Sequence, residues 1–265
     1  MQVEQLENNQ QLNVLIADDH LINQLYIQAI LNGAGHACYV AHNGLEVLNL
    51  LEERPYDVVL MDNNMPLMDG YEATKEIRKL EQHTGQRKHI IAVTANTGEE
   101  HESLCFAAGM DDYLSKPINP KLLLQKIEVL SINKSSTDNQ ALKYEKQAQL
   151  NMDKDKKIQV NQALALVNAE DLKKILSMLL DFVPLAYEQL NQAYHEDNPI
   201  KIAQVAHNIA GTTSIVDAGA LFNAAIELEN TARHGDLEQV EKMITDIKLL
   251  MDAYINELNQ LISAL

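Results

Sequence analysis

The 265-residue chain has few cysteines, few basic residues and no long apolar segment. Each shortage excludes some classes of protein or binding partner. Cys38 and Cys105 are the only cysteines and lie in separate predicted elements. We therefore expect a reducing, cytoplasmic setting without a disulfide framework or a zinc knuckle. The chain contains 21 Lys and Arg residues but 38 Asp and Glu residues. The net charge of −17 opposes direct binding to nucleic acid or an anionic membrane, although ordinary solubility explains it equally well. No apolar run approaches about 18 residues and no signal-peptide pattern occurs, so we expect no membrane insertion.

Short apolar runs and helical patterns alternate through the first half of the chain. The predicted strands are Val14–Asp18, Ala37–Ala41, Val58–Met61, Ile90–Thr94 and Tyr113–Ser115. The predicted helices are Leu21–Leu31, Leu45–Glu52, Tyr71–Leu80, Glu99–Ala108 and Lys121–Leu130. Five strands that alternate with five helices favour an α/β fold with a doubly wound parallel sheet.

The second half has long helical periodicities and no strand pattern. Predicted helices are Val160–Val167, Ala169–Tyr194, Ile200–Ile215, Ala218–His234 and Leu237–Ala264, and the last four suit an antiparallel four-helix bundle. Pro184 is expected to kink or restart its helix. The predicted boundaries are a polar tail over 1–11, an α/β domain over 12–131, a polar linker over 132–156 and an all-α domain over 157–265.

Acidic residues stand where two predicted strands end. The run that begins at Val14 leads into Asp18 and Asp19, and the run that begins at Val58 ends on Asp62. The carboxyl ends of neighbouring parallel strands form the usual ligand crevice of such a sheet. Like charges at short range are costly unless a metal ion or a proton joins them. The pattern therefore predicts a Mg²⁺ site for phosphoryl chemistry.

Four sequence blocks in the first half are similar to those of a known protein family. They are Asp18–His20, Met61–Gly70, Ala92–Ala95 and Tyr113–Pro117. Over about residues 12–131 these blocks resemble, in order and spacing, the signature of a two-component receiver domain. The run Gly109–Tyr113, together with Cys105, resembles in particular the receivers carried by hybrid sensor kinases. The resemblance implies a flavodoxin-like, five-stranded sheet.

The same resemblance implies a phospho-acceptor and a metal site. Asp62 would be the carboxylate nucleophile that forms an acyl phosphate. Asp19, Asp62 and the backbone carbonyl of Asn64 would ligate Mg²⁺, with Asp18 contributing through a water molecule.

Further receiver residues would assist the transfer. Lys116, with Mg²⁺, would neutralise the transferring phosphoryl oxygens. Thr94 would hydrogen-bond a phosphoryl oxygen after transfer, and Tyr113 would swing inward with it. The peptide bond between Lys116 and Pro117 is cis in this family, which would aim the lysine at the site. His20 is expected to be a solvent-facing variant rather than a metal ligand.

His207 is the candidate functional residue of the helical half. Gly211 lies one turn further on the same helix face, and a glycine inside a helix costs about 1 kcal/mol relative to alanine. Clearance for a partner or a phosphoryl group beside the imidazole is one reason to keep such a glycine.

Over about residues 157–265 the helical half resembles a histidine phosphotransfer (Hpt) domain. The matching blocks are Ala206-His207, Gly211-Thr212, Ile226–Glu229 and Gly235-Asp236. The resemblance implies that His207 is a second phospho-acceptor. Ala210 departs from it, because the family commonly has a lysine there that offers a cation to the phosphoryl group. We expect a solvent-exposed position at which a lysine would speed transfer modestly.

These features predict a phosphorelay protein. A sensor histidine kinase would phosphorylate Asp62, and His207 would exchange the phosphoryl group with a receiver aspartate, either Asp62 or one on a downstream response regulator. The chain has no ATP-binding kinase module, glycine-rich nucleotide loop or DNA-binding half. Alternatives are a C-terminal portion of a larger hybrid sensor kinase, and a docking module whose Hpt half has lost transfer. A phosphohydrolase is disfavoured because Asn64 replaces the second catalytic acid at two residues after Asp62.

Overall fold

Strands and helices alternate through the first half of the computed structural model, which describes residues 11–95, 98–133, 167–216, 219–235 and 237–265. The strands are β1 (Asn13–Ala17), β2 (Ala37–Ala41), β3 (Val58–Asp62), β4 (His89–Thr94) and β5 (Asp112–Ser115). The helices are α1 (Leu21–Gly33), α2 (Gly44–Glu53), α3 (Gly70–Thr84), α4 (Glu99–Ala108) and α5 (Pro120–Asn133). Every strand and helix predicted in this half is confirmed, with ends shifted by a few residues at most.

The strands form one parallel sheet in the order β2-β1-β3-β4-β5, as the predicted fold class requires. Continuous apolar strands suit a sheet that helices cover on both faces, and every residue of β3 is buried. The order reverses between β1 and β3, where Val14 pairs with Val58 and Ala17 with Met61. The carboxyl ends of these two strands therefore lie side by side, at the switch point where open α/β sheets bind ligands.

A close backbone approach fixes α3 against the end of β3. A Cβ atom built on Gly70 would lie 2.2 Å from the carbonyl oxygen of Asp62, so only glycine lets the helix begin there. The Asp69 side chain accepts a hydrogen bond from the backbone N–H of Glu72 at 2.7 Å and caps the same helix.

In the described part of the second half the chain forms four helices, which confirms the predicted bundle. They are α6 (Ala169–His195), α7 (Pro199–Thr213), α8 (Ala220–His234) and α9 (Leu237–Ala264). Asn168 and Asn198 cap α6 and α7, because each side chain accepts a backbone N–H three residues later. The core between the helices includes Leu176, Leu228 and Leu258, all fully buried.

Helix α6 continues through Pro184 as one helix, so the expected restart is wrong. Proline inside a helix removes one backbone hydrogen bond and costs about 3 kcal/mol. The flanking side chains of Val183 and Ala186 are buried in the bundle, and their packing holds the turn in helical form.

Several predictions fall outside the described residues. These are the polar tail over 1–11 apart from Gln11, the linker over 132–156 apart from the residues that close α5, and the helix over Val160–Val167 apart from its last residue.

The two halves pack together. We call residues 11–133 the sheet domain and residues 167–265 the bundle, in both cases for the described residues alone. Helix α1 packs against α6 and α7. One continuous cluster of buried apolar side chains extends from Ile27 and Leu123 in the sheet domain to Leu179 and Ile209 in the bundle. Among the described residues, no helix is both long enough and apolar enough to cross a membrane.

His36 is buried in the sheet domain, with 4% of its surface exposed. Its Nδ1 atom accepts a hydrogen bond from the backbone N–H of Leu12 at 3.4 Å, which requires the neutral ring. Burial lowers the pKa of His36, and the charge of Glu128 opposes this only in part. Protonation of His36 is therefore less favourable in the folded protein than in the unfolded chain.

This imidazole makes stability depend on pH. The unfolded pKa is about 6.5 and the folded pKa is lower, so the contribution of His36 is complete above the unfolded value and is lost as the pH falls. We expect His36→Gln to flatten the decline of the urea unfolding midpoint below about pH 6.5. The matched control is His83→Gln, at an exposed position of α3. An unchanged decline in His36→Gln would contradict this role.

Candidate active site

Three carboxylates meet at the adjoining ends of β1 and β3, as predicted. Asp18 and Asp19 follow β1, and Asp62 is the last residue of β3. One carboxylate oxygen of each lies within 4.8 Å of those of the other two. Asp18 and Asp62 are almost completely buried. The register of the two strands therefore suffices to assemble this cluster.

Lys116 neutralises part of the cluster charge. Its Nζ atom lies 2.5 Å from Oδ2 of Asp62 and 3.0 Å from Oδ2 of Asp18. The bond to Pro117 is cis, as the resemblance implied. Burial alone would lower the pKa of Lys116, but the charges of the two aspartates outweigh it and raise that pKa. The lysine is therefore a fixed positive charge.

The carboxylates differ in their protonation chemistry. Burial raises the pKa of Asp18, against the attraction of Lys116. Burial, with the charge of Asp62, also raises the pKa of Asp19. Burial would raise the pKa of Asp62 too, but Lys116, His207 and a hydrogen bond from Asn64 outweigh it and lower that pKa. Asp62 is thus the member that stays ionised most readily.

The remaining predicted receiver residues lie at different distances from the cluster. The backbone N–H of Asn64 donates to Oδ1 of Asp62 at 3.0 Å. Thr94 is buried at the end of β4, where Val93 pairs with Asp62. The ring of Tyr113 packs edge-on against Phe106, with centroids 6.3 Å apart. The site thus includes Asn64 and adjoins Thr94, whereas Tyr113 packs against α4.

His207 of α7 lies against this cluster, in the contact between the two domains. The Asn64 side-chain nitrogen lies 3.4 Å from Nε2 and 3.5 Å from Nδ1 of His207. Only 7% of the histidine surface is exposed. The two residues predicted as phospho-acceptors thus belong to a single site.

Glu229 and Arg233, both on α8, hold the imidazole in place. The Nδ1 atom of His207 lies 3.0 Å from Oε2 of Glu229, which is buried, and Arg233 donates to the other carboxylate oxygen at 2.8 Å. Burial would lower the pKa of His207, but the hydrogen bond to Glu229 and the charges of Asp62 and Glu229 outweigh it and raise that pKa. In the sequence Glu229 is noted only as part of the matching block Ile226–Glu229, which does not predict its contact with His207.

Gly211 provides less clearance than expected. A Cβ atom built there would meet Nζ of Lys116 and Nδ2 of Asn23, each at 3.7 Å, which is ordinary van der Waals contact. The position therefore has room for a methyl group, and a longer side chain would reach Lys116. Asn23 is buried beside the cluster, with Nδ2 at 3.2 Å from both Asp18 oxygens, and was also not predicted.

Two expectations about exposure are wrong. Ala210 is completely buried in the apolar cluster, so a lysine there could not point freely into solvent. His20 faces the bundle rather than solvent: its Nδ1 atom lies 3.4 Å from Oγ1 of Thr212, and its ring packs edge-on against Phe182. For His20 the error arises because helices distant in the sequence cover the position, which the local sequence pattern does not reveal.

Two family models match separate parts of the chain. Residues 14–128 match the family model of the response regulator receiver domain, and residues 174–264 match that of the Hpt domain. The sensor histidine kinase RcsC of Salmonella typhimurium is 38% identical over 123 residues, which cover 46% of this chain and 13% of that protein. The virulence sensor protein BvgS of Bordetella bronchiseptica is 29% identical over 230 residues, which cover 84% of this chain and 18% of that protein. The chain therefore spans less than a fifth of the length of these relatives.

Among solved structures, a co-crystal structure of the histidine phosphotransfer signaling protein Ypd1 of Saccharomyces cerevisiae and the receiver domain of its downstream response regulator Ssk1 aligns with a TM-score of 0.48. The sequence identity is 30%, and the alignment covers 50% of this chain and 97% of that chain.

The two family matches divide the site between them. The carboxylate cluster and Lys116 fall inside the first matched range, and His207 with Glu229 falls inside the second. The chain therefore belongs to the proteins of two-component signalling, as a response regulator receiver domain followed by an Hpt domain.

Proposed function

We propose that this chain is a phosphorelay protein in which Asp62 and His207 exchange a phosphoryl group within one molecule. A sensor histidine kinase supplies the group to Asp62, and His207 passes it on to the receiver domain of a downstream response regulator. The observation that carries the proposal is the position of the buried His207 imidazole against Asn64, two residues after Asp62.

Asp62 has the properties of a carboxylate nucleophile. Its lowered pKa keeps it ionised, and its two oxygens are oriented by Lys116 and by the backbone of Asn64. In the first step a carboxylate oxygen forms a bond to phosphorus, and the bond from phosphorus to the kinase histidine nitrogen breaks. Lys116 remains close enough to neutralise negative charge on the phosphoryl oxygens, where most catalysis of this reaction is found.

The donor set beside Asp62 fits Mg²⁺, which prefers carboxylate and carbonyl oxygens. Burial raises the pKa values of Asp18 and Asp19, and the nearby charge of Asp62 adds to this effect. A divalent cation would relieve the repulsion among the three carboxylates. Asp18 already accepts hydrogen bonds from Asn23, Lys116 and the backbone of residue 20. We therefore assign direct ligation to Asp19, Asp62 and the Asn64 carbonyl, and a water-mediated role to Asp18. When bound, the ion supplies charge neutralisation to the phosphoryl oxygens.

His207 is arranged to accept the group at Nε2. Because Glu229 accepts a hydrogen bond from Nδ1, the ring proton stays on that side and leaves a lone pair on Nε2. In the second step Nε2 forms a bond to phosphorus while the bond from phosphorus to the Asp62 oxygen breaks. In the neutral ring no proton has to leave the attacking nitrogen, and Glu229 stabilises the positive charge that develops on the ring. Lys116, beside Gly211, provides a cation next to the helix where Ala210 provides none.

A docking module without transfer is the second candidate. It would need a bundle face for a receiver but not an oriented imidazole. The contact between His207 and Glu229, with Arg233 behind the carboxylate, favours transfer over docking alone. The same two domains also suit a portion of a longer sensor kinase, since the similarity to BvgS extends over both halves of the chain.

The first prediction concerns the nucleophile. With a small phosphodonor such as acetyl phosphate and Mg²⁺, Asp62→Asn should abolish the hydroxylamine-sensitive label, because an amide is not a nucleophile under these conditions. Mass spectrometry of the tryptic peptides would locate the label in the unmodified chain.

The paired control is His207→Gln, which should keep the hydroxylamine-sensitive label and lose the alkali-stable, acid-labile label of a phosphohistidine. A hydroxylamine-sensitive label that persists undiminished in Asp62→Asn would place the acyl phosphate on another residue.

The second prediction concerns the metal. The chain contains no tryptophan, so isothermal titration calorimetry is the suitable measurement of Mg²⁺ binding. We expect one saturable site that Asp19→Ala removes, because the remaining carboxylates lose a direct ligand. Asp181→Ala, at an exposed position of α6, is the matched control. Undiminished binding in Asp19→Ala would show that the ion is held elsewhere.

A further inference from the structure

The docked bundle covers the groups that the relay must expose to other proteins. In the described structure Asp62 is 2% exposed and His207 is 7% exposed. The kinase histidine needs access to Asp62, and a downstream receiver needs access to His207. Neither can reach its target while the two domains of this chain remain packed as they are.

His20 lies beside this contact and reaches across it. Its side chain makes no capping hydrogen bond to α1, although it stands at the first position before that helix. The ring instead lies edge-on to Phe182 of α6, with centroids 6.0 Å apart and an angle of 86° between the planes. Its Nδ1 atom lies 3.4 Å from Oγ1 of Thr212 on α7. One imidazole of the sheet domain thus contacts two helices of the bundle.

These contacts distinguish docking from phosphoryl chemistry. Phe182 and Thr212 contribute neither a charge nor a nucleophile to the site. Edge-on aromatic pairs depend on shape and orientation, so they discriminate between partners that present different side chains. Asn23, by contrast, contacts the carboxylates themselves and would not separate the two roles.

We propose that His20 is the residue by which this receiver recognises its own Hpt bundle, and that the bundle face around His207 holds one receiver at a time. The receiver of the same chain occupies that face, so a second receiver docks only after the first has left. The transfer readout of this inference rests on the proposed function, whereas docking itself does not.

The test uses two complementary variants of the full chain. The donor carries His207→Gln and is phosphorylated on Asp62 by acetyl phosphate, and the acceptor carries Asp62→Asn and provides His207. Transfer between them requires the receiver of the acceptor to leave its own bundle. Adding His20→Ala to the acceptor should speed transfer about two- to tenfold, because it weakens only the resident receiver. Adding it to the donor should change the rate by less than about twofold, because it releases the donor receiver from its own bundle and weakens the docking of that receiver on the acceptor by the same contacts.

The difference between the two positions excludes a general defect, since a substitution that merely damaged the fold would slow transfer in both. His83→Ala, on the exposed side of α3, should change neither rate. If His20→Ala fails to speed transfer in the acceptor, or speeds it as much in the donor as in the acceptor, the inference is overturned.

A readout without phosphate separates this inference from the proposed function. Diethyl pyrocarbonate modifies accessible imidazoles, and peptide mass spectrometry reports the modification of His207. In a chain whose only substitution is His20→Ala, the rate of His207 modification should rise about two- to tenfold. If no phosphoryl transfer occurs in any mixture but this rate rises, docking by His20 stands and the proposed function fails. If the rate does not change, recognition by His20 is overturned whatever the transfer assay gives.

Discussion

The crowding of three carboxylates at adjoining strand ends is the constraint on which the rest of the site depends. The parallel register of β1 and β3 places oxygens of Asp18, Asp19 and Asp62 within 4.8 Å of one another. Such an arrangement needs positive charge, and Lys116 supplies the part that the chain itself provides. Burial raises the pKa values of Asp18 and Asp19, and the charge of Asp62 adds to this effect, so a divalent cation would stabilise the cluster further. The close approach of the three carboxylates thus causes both their mutual repulsion and their suitability for binding a cation.

The packing of the bundle extends this electrostatic arrangement to a second nucleophile. His207 lies against a site that contains a buried lysine and an ionised aspartate, and its own partner Glu229 contacts Nδ1. The imidazole is therefore near two regions of negative charge, each compensated by a cation: Lys116 pairs with Asp62, and Arg233 pairs with Glu229. When the His207 ring is neutral, this arrangement would let a phosphoryl group change partners without any proton leaving the attacking nitrogen.

The alternating strand and helix patterns were sufficient to predict the sheet, because each strand is a short apolar run between helices and its ends carry distinctive residues. The same strand ends identified Asp18, Asp19 and Asp62, and the receiver resemblance added Lys116. Sequence reasoning failed where exposure depends on a remote segment. His20 looks like an exposed position within its own local pattern, and packing against distant helices of the chain covers it. No periodicity in the sequence encodes which face of α1 meets α6.

The central claim is that Asp62 and His207 exchange phosphate within one molecule, and the concentration dependence of that exchange tests it most directly. The chain would be phosphorylated on Asp62 by a small phosphodonor, freed of the donor, and diluted over about a hundredfold range below the effective concentration of linked domains, which is on the order of mM. The rate at which alkali-stable phosphohistidine appears would then be measured. Exchange within one chain predicts the same first-order rate constant at every dilution. A rate constant that falls in proportion to the chain concentration, or the absence of phosphohistidine at every dilution, would contradict the account.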